Sequence, residues 1–221
     1  MSWGEVFKVN NKIKKPINKL LYEKKYFPIR IITSTGKYTP EKTGLYRVIC
    51  VGAGGGGFYK TSSSNFKLSG GGSGGVAIKD IVLNKSTTYD VTVSTTASFG
   101  TELTATAGLT EEGTYSTSTQ LPDGGTAVGG DYNFPGERGA RGTVYQDYLL
   151  MKGGSVGVVI GELLSHRYET TRGGPLQYGN SLLGYGGGGS AIVYDNGSSY
   201  SNYISYGLPA AVIIIPLELE A

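Results

Sequence analysis

Short runs of strand-forming residues, separated by turn residues and glycine, dominate the chain after residue 36. The run from Leu45 to Val51 follows Pro40 and Gly44, and further runs occupy 76–83, 88–93, 103–107, 191–194 and 210–215. Several short strands without a helical period predict an all-β fold of the β-sandwich or jelly-roll type over residues 36–221. The last run is apolar throughout, which is typical of a buried central strand.

The connections between these runs fall into two kinds. Asn84-Lys85-Ser86 separates two strand-like runs by a short turn, which predicts a β-hairpin. Long glycine-dense stretches separate the others, at residues 52–57, 70–75, 124–142, 153–161 and 184–189. Loops of this length are usually functional or disordered. Because glycine alternates with aromatic and Arg residues in residues 130–139, we expect ordered loops that form the outer surface.

Residues 1–35 have a different pattern and form a separate predicted segment. Ile17, Leu20 and Leu21 share one helical face, and Pro16 suits the first turn of a helix. We therefore predict a short helix over residues 16–25, bounded by Pro28. A helix of this length is unstable alone, so it must pack on a partner or on its own copies.

Composition separates this chain from ordinary globular proteins. Glycine supplies 37 of the 221 residues, against about 7% in average chains, without the three-residue period of collagen. Tyrosine supplies 17 of the 24 aromatic residues, which favours adaptable contact surfaces.

The net charge of +3 is unevenly distributed. Residues 1–35 hold eight basic and two acidic residues (+6), and the remainder holds 12 basic and 15 acidic residues (−3). A uniformly basic nucleic-acid-binding protein is therefore not expected. The basic beginning of the chain suits a short attachment segment better.

Cysteine content and hydropathy set further expectations. Cys50 is the single Cys, which excludes an intramolecular disulfide and a Cys-based zinc site. Its strand position predicts a small buried apolar residue rather than a nucleophile. The beginning of the chain lacks the pattern of a signal peptide, and the longest apolar run is too short for a membrane span. We therefore expect synthesis in the cytoplasm without a signal peptide.

An ordered set of motifs resembles the glycine-rich domain of phage tail-fibre and receptor-binding proteins. It begins with Tyr38-Thr-Pro-Glu-Lys-Thr-Gly44 and Tyr46-Arg-Val-Ile-Cys-Val-Gly-Ala-Gly-Gly-Gly-Gly57. Gly71-Gly-Ser-Gly-Gly75, Tyr89-Asp-Val-Thr-Val93, Ser98-Phe-Gly100, Gly184-Tyr-Gly-Gly-Gly-Gly189 and Gly207-Leu-Pro-Ala-Ala-Val-Ile-Ile-Ile215 follow in order. The first 16 residues resemble the start of tail proteins of clostridial prophages and contractile bacteriocins.

The resemblance implies a β-sandwich whose distal glycine-rich loops contact a host surface polysaccharide or surface protein. In some relatives such loops form stacked polyglycine helices. The resemblance also implies a place on a virion or tail-like particle, contacts with other tail or baseplate proteins, and a homo-oligomer, commonly a trimer. We expect no cofactor, no membrane and no nucleic-acid partner.

Three enzyme-like signals have simpler explanations. Residues 52–57 fit the spacing of a dinucleotide-binding fingerprint, but no helical pattern follows to hold a pyrophosphate. His166 is the single His and lacks companions for a metal site. The carboxylate pairs Asp131 with Glu137, and Glu111 with Glu112, could serve a glycosidase. We expect the first pair to fix loop shape through Arg138 or Arg141, and the second to be solvated.

The candidate contact residues are aromatic and Arg residues near the glycine stretches. Exposed rings can stack on sugars or fit a surface protein, although many such rings also cover glycine backbone. The receptor-binding candidates are Tyr59, Tyr132, Phe134, Arg138, Arg141, Tyr145, Tyr148, Tyr178, Tyr185, Tyr200 and Tyr203. The candidates for particle attachment are Trp3, Phe7, Ile13, Ile17, Leu20 and Leu21.

Three functions remain open from the sequence. The first is a non-enzymatic adhesin that binds a bacterial surface component and is attached to a tail or baseplate by residues 1–35. The second is a structural tail component whose glycine-rich loops pack on neighbouring subunits. The third is a depolymerase of surface polysaccharide, which needs a cleft with converging carboxylates.

Overall fold

The computed structural model describes residues 29–62, 65–110, 121–139, 143–145, 148–151, 153–154, 185–189, 191–195, 200–204 and 206–220. These residues form β-strands and no helix, which confirms the all-β prediction. The helix predicted for residues 16–25 lies outside the described residues. In the described part of the chain, no helix is long and apolar enough to cross a membrane.

The strands, in chain order, are β1 (Arg30–Ile32), β2 (Gly36–Tyr38), β3 (Gly44–Val51), β4 (Phe58–Ser62), β5 (Asn65–Ser69), β6 (Val76–Leu83), β7 (Tyr89–Val93), β8 (Ala97–Phe99), β9 (Leu103–Ala105), β10 (Ala127–Val128), β11 (Tyr132–Phe134), β12 (Thr143–Tyr145), β13 (Tyr148–Met151), β14 (Ala191–Asp195), β15 (Tyr200–Ile204) and β16 (Ala211–Leu219).

Ten of these strands form a sandwich of two five-stranded antiparallel sheets. The first sheet has the order β1-β16-β3-β6-β11 and the second has the order β10-β9-β8-β7-β2. β16 pairs with β1 on one side and with β3 on the other. The prediction that the last apolar run is a buried interior strand is therefore confirmed.

The core between the two sheets consists of alternate residues of their strands. Buried side chains from the first sheet include Val48 and Cys50, and the second sheet contributes Val91, Phe99 and Leu103. Cys50 is fully buried, as predicted, and burial raises the pKa of its thiol to about 12. The opposite face of the first sheet carries a smaller buried cluster centred on Ile49, Val51, Val76 and Ile213.

The predicted hairpin at Asn84-Lys85-Ser86 is wrong. β6 belongs to the first sheet and β7 to the second, so this turn crosses between the sheets. The side-chain oxygen of Asn84 accepts a hydrogen bond from the Ser86 amide at 3.0 Å. The backbone amide of Asn84 donates a hydrogen bond to the hydroxyl of Tyr89 at 3.0 Å. Side-chain hydrogen bonds of Asn therefore close the turn without strand pairing.

A lattice of extended, glycine-rich segments lies against one end of the sandwich. We call it the glycine lattice and define it as residues 52–57, 70–75, 106–109, 122–126, 136–139, 153–154, 186–189 and 207–209. Its backbone hydrogen bonds recur at three-residue intervals: Gly52 donates to Gly75 at 3.0 Å, and Gly55 donates to Gly72 at 2.8 Å. Three residues per turn is the period of the polyproline II helix, in which successive amides point about 120° apart.

Residues 70–75 form the centre of the glycine lattice and bond to six surrounding segments. Three segments accept hydrogen bonds from amides of residues 70–75. In the first segment, Gly189 accepts from Gly71 and Gly186 accepts from Gly74. In the other two, Leu109 and Thr106 accept from Gly72 and Gly75, and Glu137 accepts from Ser73. Three more segments donate hydrogen bonds to carbonyls of residues 70–75. The donors are Gly52 and Gly55 in the first segment, Gly125 in the second and Gly154 in the third. The buried backbone is thus satisfied without a sheet.

Close approach of neighbouring backbones explains why the lattice needs glycine. A Cβ atom added to Gly71, Gly72 or Gly74 would overlap a neighbouring backbone carbonyl. All residues from 70 to 75 are buried. The expectation that the glycine stretches form outer surface is therefore wrong for residues 70–75. These residues are buried, and their packing depends on contact between neighbouring backbones.

The chain direction places the remaining strands at the far end of the glycine lattice. Residues 52–57 leave the sandwich after β3 and lead to the β4–β5 hairpin, and residues 70–75 return from it to β6. Residues 186–189 run antiparallel to residues 71–74 and lead to β14. We call this end of the molecule the tip.

Candidate functional site

A four-stranded antiparallel sheet, which we call the tip sheet, has the order β12-β13-β14-β15. β14 contacts β5, and β15 contacts β4, so the tip sheet lies beside the β4–β5 hairpin. Its strands connect directly to lattice residues 153–154, 186–189 and 207–209. The tip is therefore held by the glycine lattice at several points of the chain rather than by a single linker.

The register of the tip sheet brings three tyrosines into one row. Tyr145 pairs with Tyr148, and Tyr148 pairs with Tyr194 on the next strand. Residues directly opposite each other in antiparallel strands share a face of the sheet. Because adjacent strands are about 4.8 Å apart, these positions form a closely spaced line across β12, β13 and β14. We call it the tyrosine row.

Two of the predicted residues therefore come together with one that the sequence reasoning missed. Tyr145 and Tyr148 were candidates and Tyr194 was not. Tyr203 pairs with Ile192, which lies two positions before Tyr194, so Tyr203 belongs to the same face. Tyr200 pairs with Asp195 and belongs to the opposite face. Alternation within a run of strand formers was the available signal for Tyr194.

Three other aromatic candidates lie elsewhere. Tyr132 is on β11 opposite Ile78 and is 63% exposed. Phe134 and Tyr185 are partly buried and pack against the smaller cluster of the first sheet. This packing shows that both rings cover sandwich residues.

The charged candidates take part in loop structure. Arg138 forms an ion pair with Asp123, and both side chains are mostly exposed. The carboxylate of Asp131 accepts a hydrogen bond from the Asp80 amide at 3.0 Å. The prediction that Asp131 and Glu137 fix loop shape through Arg138 or Arg141 stays a prediction, since Arg141 lies outside the described residues.

The remaining candidates divide between strands and undescribed residues. Tyr59 is on β4. Arg141, Tyr178, His166, Glu111 and Glu112 lie outside the described residues, as do the six attachment candidates Trp3, Phe7, Ile13, Ile17, Leu20 and Leu21. Among the described residues, no group of three or more His, Cys, Asp or Glu side chains is arranged to hold a metal ion.

The fold defines an all-β module in which a sandwich and a glycine lattice carry a tyrosine-bearing tip sheet. A family model described as a glycine-rich domain matches residues 33–209, and the chain belongs to this family. The matched range covers all segments of the glycine lattice and the whole tip. A comparison with curated proteins found no match.

Proposed function

We propose that this protein is an adhesin of a phage tail or tail-like particle and that the tip sheet contacts the bacterial surface. The observation that carries the proposal is the tyrosine row, in which three tyrosine positions are register neighbours on the adjacent strands β12, β13 and β14. Tyrosine offers a broad apolar face and a hydroxyl at low entropic cost, as contact surfaces require. The partner is a surface polysaccharide or a surface protein.

The direction of β1 supports attachment at the opposite end. β1 runs antiparallel to β16, from Arg30 opposite Ile214 to Ile32 opposite Val212. Because β16 leads away from the glycine lattice, β1 leads toward it. Arg30 therefore lies at the end of β1 that is farther from the glycine lattice, which supports residues 1–35 as the attachment segment. Display of several copies on a particle, as in a trimer, would multiply modest individual affinities.

Binding to whole cells tests the proposal. The fluorescently labelled full-length protein, displayed as a multimer, is incubated with a panel of clostridial strains and with their isolated walls. We expect at least one strain to bind it, and replacement of both Tyr148 and Tyr194 by Ala to weaken binding about 30-fold, as loss of interface hot spots does. Tyr132→Ala, an exposed tyrosine of the sandwich, is the control and should have little effect.

Two results would contradict the adhesin. Equal binding by the double variant and the parent protein would remove the tip sheet as the contact surface. Absence of binding to every strain, together with burial of the tip between subunits in an assembled particle, would identify a structural tail component instead.

A further inference from the structure

The open side of the sandwich contains a second candidate binding site, far from the tip. β1 ends the first sheet and β2 ends the second, so among the described residues no strand closes the sandwich between them. A cavity of about 430 Å³ lies there, within the size range of small-molecule sites. A cavity on the other side of the sandwich, beside Phe99, measures about 180 Å³ and is below that range.

The cavity combines apolar walls with polar groups at its mouth. Ile32, Pro216 and the ring of Tyr46 provide apolar surface, and Tyr46 itself is 2% exposed. Arg30 and Glu41 form an ion pair of 2.9 Å among the lining residues. The other charged lining residue, Lys37, forms an ion pair with Asp90 at 3.4 Å. Because each charge is paired, the mouth attracts neither anions nor cations strongly, while it still offers hydrogen-bond donors and acceptors.

Tyr38 lines the same cavity and carries a hydroxyl. Its ring is partly buried against the sandwich core, and burial raises the pKa of its hydroxyl to about 12. Within the part of the chain that the structure describes, this hydroxyl has no hydrogen-bond partner. The neighbouring Tyr46 hydroxyl, in contrast, donates to the Lys42 carbonyl at 2.7 Å. Within the described residues the Tyr38 hydroxyl is therefore available to donate a hydrogen bond to, or accept one from, a molecule in the cavity.

We infer that this cavity binds a neutral saccharide of one or two units. A sugar ring has an apolar face of C–H groups and a rim of hydroxyls that both donate and accept hydrogen bonds. The apolar face fits Ile32 and Pro216. The rim fits the Arg30 donors, the Glu41 acceptor and the Tyr38 hydroxyl. The sugar is either free or a unit of a longer polymer, since both present the same groups.

Nuclear magnetic resonance titration of the ¹⁵N-labelled full-length protein tests the inference. The probes are glucose, N-acetylglucosamine and a disaccharide of N-acetylglucosamine, each added to about 50 mM because small ligands bind at millimolar levels. We expect the amides of Ile32, Gly36 and Tyr38 to shift with at least one probe. An isolated wall polysaccharide containing the same sugar distinguishes the two sources, since it competes only if a polymer unit fits the cavity.

Two variants and a matched control make the test specific. Tyr38→Phe keeps the ring and removes the hydroxyl, and should weaken binding about 5-fold, the effect of one hydrogen bond. Glu41→Gln should weaken binding about 10-fold, because it removes a charged acceptor. Asp80→Asn disrupts the similar Arg47–Asp80 pair, 2.8 Å long and outside the cavity, and should leave binding unchanged. Retained spectral dispersion shows that each variant is folded.

The inference is overturned if no probe shifts the cavity amides, or if the parent protein, Tyr38→Phe and Glu41→Gln bind equally. It does not depend on the adhesin proposal. A protein with Tyr148 and Tyr194 replaced by Ala should still show the cavity shifts, whatever its binding to cells.

Discussion

The amide of Gly55 donates a hydrogen bond of 2.8 Å to the carbonyl of Gly72, although the two segments belong to no sheet. Three residues away in each segment, Gly52 donates to Gly75. A strand ladder would repeat every two residues and would bond only to two neighbours in one plane. The three-residue repeat directs hydrogen bonds to neighbours on all sides of the segment. The interior of the lattice is therefore packed by backbone atoms instead of side chains.

Replacement of a central glycine by alanine should therefore be far more destabilising than the same change elsewhere. In Gly72→Ala the new methyl group would overlap the backbone of Asp123, which cannot move away like a flexible side chain. We expect a loss of about 3 kcal/mol in the free energy of unfolding, at the upper end of overpacking effects. Urea denaturation measures it.

Gly36→Ala is the matched control. Gly36 lies on edge strand β2, and a Cβ atom there meets nothing within 4 Å. Its free energy of unfolding should stay within about 1 kcal/mol of the parent value, because Ala reduces the freedom of the unfolded chain. Equal losses in both variants would show that general glycine flexibility, rather than close backbone packing, determines stability.

Ser73 is the one residue between 70 and 75 that carries a side chain, and its hydroxyl forms a specific hydrogen bond. Ser73 is fully buried, and its hydroxyl oxygen accepts a hydrogen bond from the Glu137 amide at 2.8 Å. Ser73→Ala should destabilise the protein by about 1–2 kcal/mol, because a buried donor loses its acceptor. Ser98→Ala, at a partly exposed strand position, should change the unfolding midpoint little. A larger effect at Ser98 would contradict this assignment.

The sandwich could be predicted from the sequence to a large extent, but the lattice could not. β6 was predicted with its observed bounds, 76–83, because strand formers there end at glycine on one side and at Asn84 on the other. Residues 70–75 gave no sign of burial, because glycine has no apolar side chain and pattern analysis equates burial with apolar residues. Only the family resemblance suggested polyglycine helices.

The tyrosine row was hidden for a different reason. Tyr148 and Tyr194 are register partners but are far apart in the chain, and no local pattern sets the register between such distant strands. Side-chain alternation within β14 could have identified Tyr194 as a face residue. It could not have identified which strand would lie beside it.

The buried thiol of Cys50 should make the protein less stable in alkali. Burial raises the pKa of Cys50 from its ordinary value of 9.0 to about 12. Between these values the unfolded chain loses the thiol proton and the folded chain keeps it, so ionisation favours unfolding. The stability contribution is complete below pH 9 and falls as the pH rises toward 12, by up to about 1.4 kcal/mol per pH unit.

Comparison with Cys50→Ala isolates this effect from the titration of Tyr and Lys residues. Urea unfolding of both proteins at pH 8 and at pH 10.5 should show a loss that is about 2 kcal/mol greater in the parent protein. The native thiol should also react with a thiol reagent at pH 8 only as fast as the protein unfolds. Rapid labelling of the native protein would contradict the assigned burial. So would an equal loss of unfolding free energy between pH 8 and pH 10.5 in the parent protein and in Cys50→Ala.

The two faces of the tip sheet should contribute unequally to binding, if the tip is the contact surface of the proposed adhesin. Tyr194 belongs to the face of the tyrosine row, and Tyr200, one strand away, belongs to the opposite face. Tyr194→Ala should weaken binding to a responsive strain about 10-fold, whereas Tyr200→Ala should change it less than about 2-fold. Flow cytometry with labelled multimers of each variant measures both. The substitutions are chemically identical, but β14 is an interior strand and β15 an edge strand, so the free energy of unfolding of both variants is measured to account for different losses of strand propensity. A stronger effect at Tyr200 would assign the contact to the other face of the sheet.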